Sequence, residues 1–201
     1  MLELLDYRRR VAELYQTVRA MDDAQAAWHH WRQVRDDLFR SHTQSALDDQ
    51  QRSSFSSLPY YDYDPAFRVI AQINTDVEKR IYEGEIGADG HLAYQRFAQV
   101  TFDLPTGSGT LSLFWILGYG GGVFLPFGDA TNQQSTYGAG RYLYDTIKGA
   151  NLGTTTTEIT LDFNFAYHPS CTYNPRWVCP LAPQENKLDF PVMAGEILSQ
   201  G

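Results

Sequence analysis

The first 58 residues contain neither glycine nor proline, whereas all 16 glycines and all 9 prolines lie from Pro59 onward. Glycine and proline are the residues that interrupt helices and build tight turns. The boundary therefore separates a leading stretch that can run as unbroken helix from a following stretch built around turns. Residues 1–57 are read as an N-terminal helical arm and 58–201 as an antiparallel β-rich domain, the arm packing on it as one folding unit.

Within the arm, Leu4, Val11, Leu14, Tyr15 and Val18 recur at spacings of three, four and seven, one face of a helix. Asp22 and Asp23 are placed to cap a second helix, whose Trp28, Trp31, Val34 and Leu38 form an apolar stripe. Arg32, Arg35, Asp36 and Asp37 between them predict a solvated face. Ser45-Ala46-Leu47-Asp48 reads as a capping pattern opening a short third helix towards Phe55. The tryptophan stripe must bury itself against the sheet or against a partner chain.

Past the extended, proline-stiffened segment from Leu58 to Pro65, the period shifts towards two. Phe67, Val69, Ala71 and Ile73 alternate with Arg68, Ile70 and Gln72. Further strands are predicted over Arg80–Ile86 (with a turn at Ala88-Asp89-Gly90), Leu92–Leu104, Leu111–Leu117, Val123–Phe127, Tyr142–Ile147, Thr154–Phe165 and Leu188–Val192. Pro105–Gly109 reads as a hairpin loop, and Gly118–Gly122 as a turn, because the strand that follows leaves no helix N-terminus to bind phosphate. Seven or eight short strands with helices placed first, not interleaved, predict a mainly β chain (α+β overall): an antiparallel β-sandwich or small β-barrel.

Composition narrows the function classes. The formal net charge is −8 with a sequence pI near 5.0, which argues against a nucleic-acid surface. Aromatic residues (11 Phe, 13 Tyr, 4 Trp) are too many for a disordered chain. Glu3 and Asp6 interrupt the first apolar residues, and the longest apolar run, Leu111–Leu117, is strand length. No membrane partner is expected, and the default location is the cytoplasm, where thiols stay reduced.

The chemistry-bearing residues are sparse. Cys171 and Cys179 stand eight apart, with only His168 near as a third donor; this spacing favours two buried structural thiols over zinc, a redox pair or a disulfide. His29, His30, His42, His91 and His168 form no ligand frame and read as surface or interfacial. Asp129, Asp145, Glu158, Asp162 and Glu185 could include an acid/base pair. No metal or cofactor is called for, and no catalytic residue can be assigned. More telling are polar residues set among aromatics. Asp129 and Thr131 follow a strand, and Arg141 follows two glycines, within reach of Asp129 or Asp162 as a structural partner or of a ligand. Leu161–Tyr167 alternates strictly, so Asp162 and Asn164 would converge in a pocket if their face were a barrel interior.

Several motifs appear in a fixed order: Asp36-Asp37-Leu38-Phe39-Arg40-Ser41-His42-Thr43-Gln44-Ser45, Leu58-Pro59-Tyr60-Tyr61, Phe124-Leu125-Pro126-Phe127 with Asp129-Ala130-Thr131, Tyr137-Gly138-Ala139-Gly140-Arg141-Tyr142, Leu161–Tyr167, and Cys171–Asn186. This set resembles the prokaryotic family called domain of unknown function 1684, over about residues 28–196. The resemblance implies no activity; it marks the surroundings of Asp129, Arg141, Asp162, Asn164, Cys171, Cys179, Glu185 and Asn186. The chain departs from the family's pattern at Gly128 and His168, which sets His168 aside as a catalytic or metal residue. The leading functional reading is a domain binding a small molecule, with Asp129, Tyr137, Arg141, Asp162, Asn164, Glu185 and Asn186 as ligand-binding candidates. A second reading is a hydrolase using a carboxylate or Cys171. A third pairs two chains as a homodimer through the helical arm.

Overall fold

The computed structural model describes residues 1–85 and 90–199. Its elements in chain order are helices α1 (Leu2–Ala20), α2 (Ala24–Ser41) and α3 (Asp49–Ser54), then strands β1 (Arg68–Asn74), β2 (Ile81–Glu85), β3 (His91–Leu104), β4 (Gly107–Ile116), β5 (Gly122–Phe127), β6 (Arg141–Asp145) and β7 (Glu158–Asp162). The strands form one antiparallel sheet curled into a half-barrel, ordered β6-β5-β4-β3-β1-β7, with β2 also on β3. The β-rich chain with leading helices expected from turn spacing is the one observed.

The 14-residue β3 organises the sheet. Along one edge it pairs with β4 through the two-residue turn Pro105-Thr106. Along the other it pairs first with β2, from Gln95 to His91, and then with the end of β1 at Val100 and Gln99. A bulge at Phe97 bends this long ladder. Pro126, which has no N–H to give, lies inside β5 where a second bulge shifts the pairing with β6. The chain leaving β7 then crosses to β6: Tyr142 and Tyr167 exchange both backbone hydrogen bonds, at 2.8 and 3.0 Å.

The arm supplies the filling. Asp23 caps α2 by accepting from the Gln25 and Ala26 amides, both at 3.0 Å. Leu14, Tyr15 and Val18 of α1 and Trp28 and Trp31 of α2 share one apolar cluster with Leu111, Leu125, Leu143, Leu161 and Phe165. Trp31 is fully buried and meets Phe165 and Tyr60 edge-on, at 5.1 and 5.5 Å between ring centres. Trp28 Nε1 donates to the Asn164 carbonyl at 2.9 Å. The stripe is therefore covered within the chain and is not left for a partner.

Five local expectations are corrected. Arg35 is buried, not solvated, because it stacks on the Trp31 ring at 4.6 Å and finds a buried carboxylate described below. The third helix is capped by Asp48 with Gln51, a capping box one turn later than Ser45; the Ser45 hydroxyl instead donates to the Phe39 carbonyl at 2.7 Å. The strand expected over Thr154–Phe165 is confined to β7, since the Asp162 carboxylate accepts from the Asn164 amide at 3.1 Å and starts a 3₁₀ turn over Phe163–Phe165. Leu188–Val192 forms no strand: Ala130 donates to the Phe190 carbonyl, and side chains of Asp129 and Arg141 take the Val192 backbone. His42 and His168 are buried rather than at the surface. The turn expected at Ala88-Asp89-Gly90 falls partly outside the described residues.

The segment before the sheet is also tied down. Leu58–Pro65 runs antiparallel to the C-terminal residues, Tyr61 N donating to the Gly195 carbonyl and Ile197 N to the Pro59 carbonyl, both at 3.0 Å. Gly195 holds a φ of +81°, and a Cβ there would sit 2.7 Å from the carbonyl oxygens of Ala166 and Phe163. Only glycine lets these three segments meet.

Candidate functional site

The seven sequence-derived positions fall into separate groups. Arg141 is wholly buried at the start of β6. Its Nη2 donates to Asp129 Oδ2 at 2.8 Å and to the Val192 carbonyl at 2.9 Å; its Nη1 donates to the Ala194 carbonyl, and to that of Glu196 at 3.3 Å. Asp129 Oδ1 accepts from the Thr131 amide at 2.8 Å and the Val192 amide at 3.3 Å. Arg141 thus pairs with Asp129, and together they clamp the C-terminal run.

Asp162 and Asn164 form a second group, at the end of β7. Asn164 Nδ2 donates to Asp162 Oδ1 and to the Asp64 carbonyl, both at 2.9 Å, while Asn164 Oδ1 accepts from the Asp64 amide at 3.0 Å. Arg68 Nε lies 3.6 Å from Asp162 Oδ2. Burial raises the Asp162 carboxyl to about 6, against the hydrogen bonds of Asn164 and the charge of Arg68. Asn186 makes a third: its amide mimics a strand partner, accepting from Ser112 N at 2.8 Å and donating to the Ser112 and Pro126 carbonyls at 2.9 and 2.8 Å. Glu185 accepts from the Tyr82 hydroxyl and lies 3.4 Å from Arg96 Nη1. Tyr137 sits apart from these, its amide donating to His168 Nε2 at 3.2 Å. The remaining carboxylates are engaged one by one, Asp145 with Lys148 at 3.1 Å and Glu158 with the Gln72 amide at 2.6 Å.

The most heavily furnished buried cluster centres on Glu196, which has no exposed surface. Its Oε2 accepts from both Arg35 Nη1 and Nη2 at 3.0 Å and from the His168 amide at 3.1 Å; its Oε1 accepts from the Tyr173 hydroxyl and lies 3.7 Å from His168 Nδ1. Arg35 Nη1 also donates to Tyr60 Oη at 2.7 Å. Burial raises the Glu196 carboxyl, opposed by Arg35. Burial first, then the Arg141 and Arg35 charges, lower His168 to about 3, so its ring is neutral at ordinary pH. Its Nε2 then accepts from Tyr137, leaving the proton on Nδ1, towards Glu196.

His168 and Tyr173 lead from this cluster into a cleft of about 500 Å³, bounded also by α3, residues 55–59 and residues 197–199. Ser54, Ser57, Thr172 and Tyr173 line it together with the apolar Phe55, Leu58 and Ile197. Asp, Glu, Lys and Arg are absent from the residues that line it, and so are all seven sequence-derived candidates. Thr172 Oγ1 is buried without a hydrogen-bond partner among the described residues. A second, more open hollow of about 410 Å³ lies between the start of α1 and the end of α2.

Sequence reasoning missed this cluster because Arg35 looked like one of four solvated charges. The available signal was Gly195-Glu196, an acid placed beside a glycine in an otherwise apolar terminal segment. Cys171 and Cys179 are free and half-buried, not sealed in the core as expected. Among the described residues, no group of three or more His, Cys, Asp or Glu side chains could hold a metal ion, and no helix is long and apolar enough to cross a membrane.

The family described as protein of unknown function, DUF1684, matches residues 53–197. The chain is also similar to an uncharacterised protein of Haloarcula marismortui whose solution structure was determined by NMR. The two are 33% identical, with a TM-score of 0.64, over 89% of this chain and 98% of that one. No curated protein matches.

Proposed function

The chain belongs to the DUF1684 family of proteins of unknown function, and from its geometry we propose that it is a small-molecule-binding domain whose ligand occupies the cleft lined by Ser57, Thr172 and Tyr173. The observation that carries this reading is the cleft itself, about 500 Å³ in volume, in which Ser57, Thr172 and Tyr173 stand beside the apolar Phe55, Leu58 and Ile197. The volume lies within the ~300–1,000 Å³ typical of ligand sites. With neutral His168 and no formally charged wall residue, the cleft favours an uncharged ligand bearing hydroxyls on one side and an apolar face on the other. The Arg35–Glu196 pair behind it fixes His168 and Tyr173 without presenting net charge.

Calorimetric titration with phenyl glycosides and the matching phenyl glucuronides tests this. Neutral glycosides should bind, the glucuronides should not, and Ser57→Trp, which fills the cleft from an exposed position, should weaken binding about tenfold or more while leaving the thermal midpoint unchanged. Equal binding of the charged series, or affinity indifferent to Ser57→Trp, would overturn the assignment.

A further inference from the structure

We propose that Cys171 and Cys179 form a reactive dithiol that reduces disulfides of small thiols, Cys171 attacking and Cys179 resolving. The 3₁₀ turn Ser170–Thr172 presents Cys171, whose backbone N–H donates to Cys179 Sγ at 3.4 Å. Tyr137 Oη lies 3.8 Å from Cys171 Sγ. The intervening loop is anchored: Arg176 Nη2 donates to the Ser45 and Leu47 carbonyls at 3.0 and 3.3 Å, and Trp177 Nε1 to the Ala46 carbonyl at 3.1 Å. Both cysteine residues are half-buried and neither is sealed in the core, which leaves a small disulfide a route to the pair while the anchored loop keeps its geometry.

The groups facing Cys171 favour its thiolate. Hydrogen bonds from Cys179 and then Tyr137, with help from the Lys148 charge, lower Cys171 to about 6 against the opposing effect of burial; Cys179 is raised in turn, so one proton serves both sulfurs. Hydrolysis through Cys171 lacks a base, because His168 Nε2 is taken by the Tyr137 amide and Nδ1 faces Glu196. Exchange needs no base beyond the pair. The Cys171 thiolate attacks one sulfur of RS–SR, the S–S bond breaks, and RS⁻ leaves to take up a proton. Cys179, losing its proton to solvent or to the departing thiolate, attacks the Cys171 sulfur of the mixed disulfide and expels the second RS⁻. The small disulfide is reduced to two thiols and the protein dithiol is oxidised to one intramolecular disulfide.

The full chain is incubated with oxidised glutathione and followed by intact mass and peptide mapping. The wild type should lose two hydrogens without accumulating an adduct. Cys179→Ala should stall with one glutathione on Cys171, and Cys171→Ala should react about tenfold more slowly. Independently of any variant, alkylation of wild-type Cys171 should run about tenfold faster than that of an unperturbed thiol near pH 6 and level off above about pH 7. A wild type that stays reduced or collects two glutathiones, or alkylation that begins at Cys179, would overturn the proposal.

Discussion

Asp162 and His168 are buried groups that acid affects in opposite senses. Asp162 titrates near 6 in the folded chain and near 3.8 when exposed, so the folded state binds its proton more readily. Its contribution to stability is greatest below about pH 4 and is lost as pH rises through 6. His168 titrates near 3 folded against 6.5 exposed, so the unfolded state binds its proton more readily. Its contribution is present above pH 6.5 and is lost as pH falls towards 3. The effects are on the order of 3 kcal/mol for Asp162 and 5 kcal/mol for His168, and between about pH 4 and 6 they oppose one another. Asp162→Asn keeps an oxygen to accept from Asn164, so this variant should be no less stable than wild type at pH 7 and should lose more stability on acidification. His168→Gln should shift the other way, becoming more stable relative to wild type as pH falls from 7 to 4. Urea titrations of the three proteins at several pH values measure both slopes, and parallel curves would disprove the assignment of these two shifts.

Arg141 acts at the scale of an element, because its guanidinium binds the carbonyls of Val192, Ala194 and Glu196 while Asp129 holds it in place. Those donors do what a second neighbouring strand would do for the terminal segment, which otherwise pairs with residues 59–61 through the single bridge between Tyr60 and Glu196. Lysine keeps the charge but cannot span three carbonyls and a carboxylate. Arg141→Lys should therefore raise amide hydrogen exchange across residues 192–197 by tenfold or more, with β3 and β4 unaffected; uniform change across the sheet would argue for a global effect instead. The same segment marks the limit of what was legible in the sequence. The strands β1 to β5 and helices α1 and α2 were readable, since their signals are periodicity, the Asp23 cap and glycine turns that act within a few residues. The Phe163–Phe165 turn and the strandless Leu188–Val192 were not, because side chains distant in sequence (Arg141 for Val192) or a competing cap (Asp162 for Asn164) take the backbone groups a strand would use. The candidate positions Asp129, Arg141, Asp162 and Asn164 are buried polar groups. What alternation could not show is that each already has protein partners, whereas the cleft is built from ordinary serines and a threonine with no pattern to mark them.

At the scale of the molecule, the glycine-free arm and the turn-rich sheet meet in one apolar cluster, so the sequence boundary at Pro59 divides local structure without dividing the core. The family match begins at residue 53, after α1 and α2. We expect residues 53–201 to be insufficient to fold alone. Removing the arm uncovers what Leu14, Tyr15, Val18, Trp28 and Trp31 cover, and losing even one large buried side chain costs about 2–5 kcal/mol. Five such losses, about 10–25 kcal/mol, match or exceed the ~5–15 kcal/mol that holds a typical domain together. The truncation also removes Arg35, leaving Glu196 buried with its charge unpaired, a defect worth about 3–5 kcal/mol by itself. A chain beginning at residue 53 should accordingly show no near-ultraviolet dichroism and no cooperative urea transition, while the full chain unfolds in one step by both tryptophan fluorescence and far-ultraviolet dichroism. A sigmoidal transition in the truncated chain would mean that the half-barrel closes on itself. In that case Trp28 and Trp31 would belong to an appended arm, and Glu196 would have to find a different cation or take up a proton.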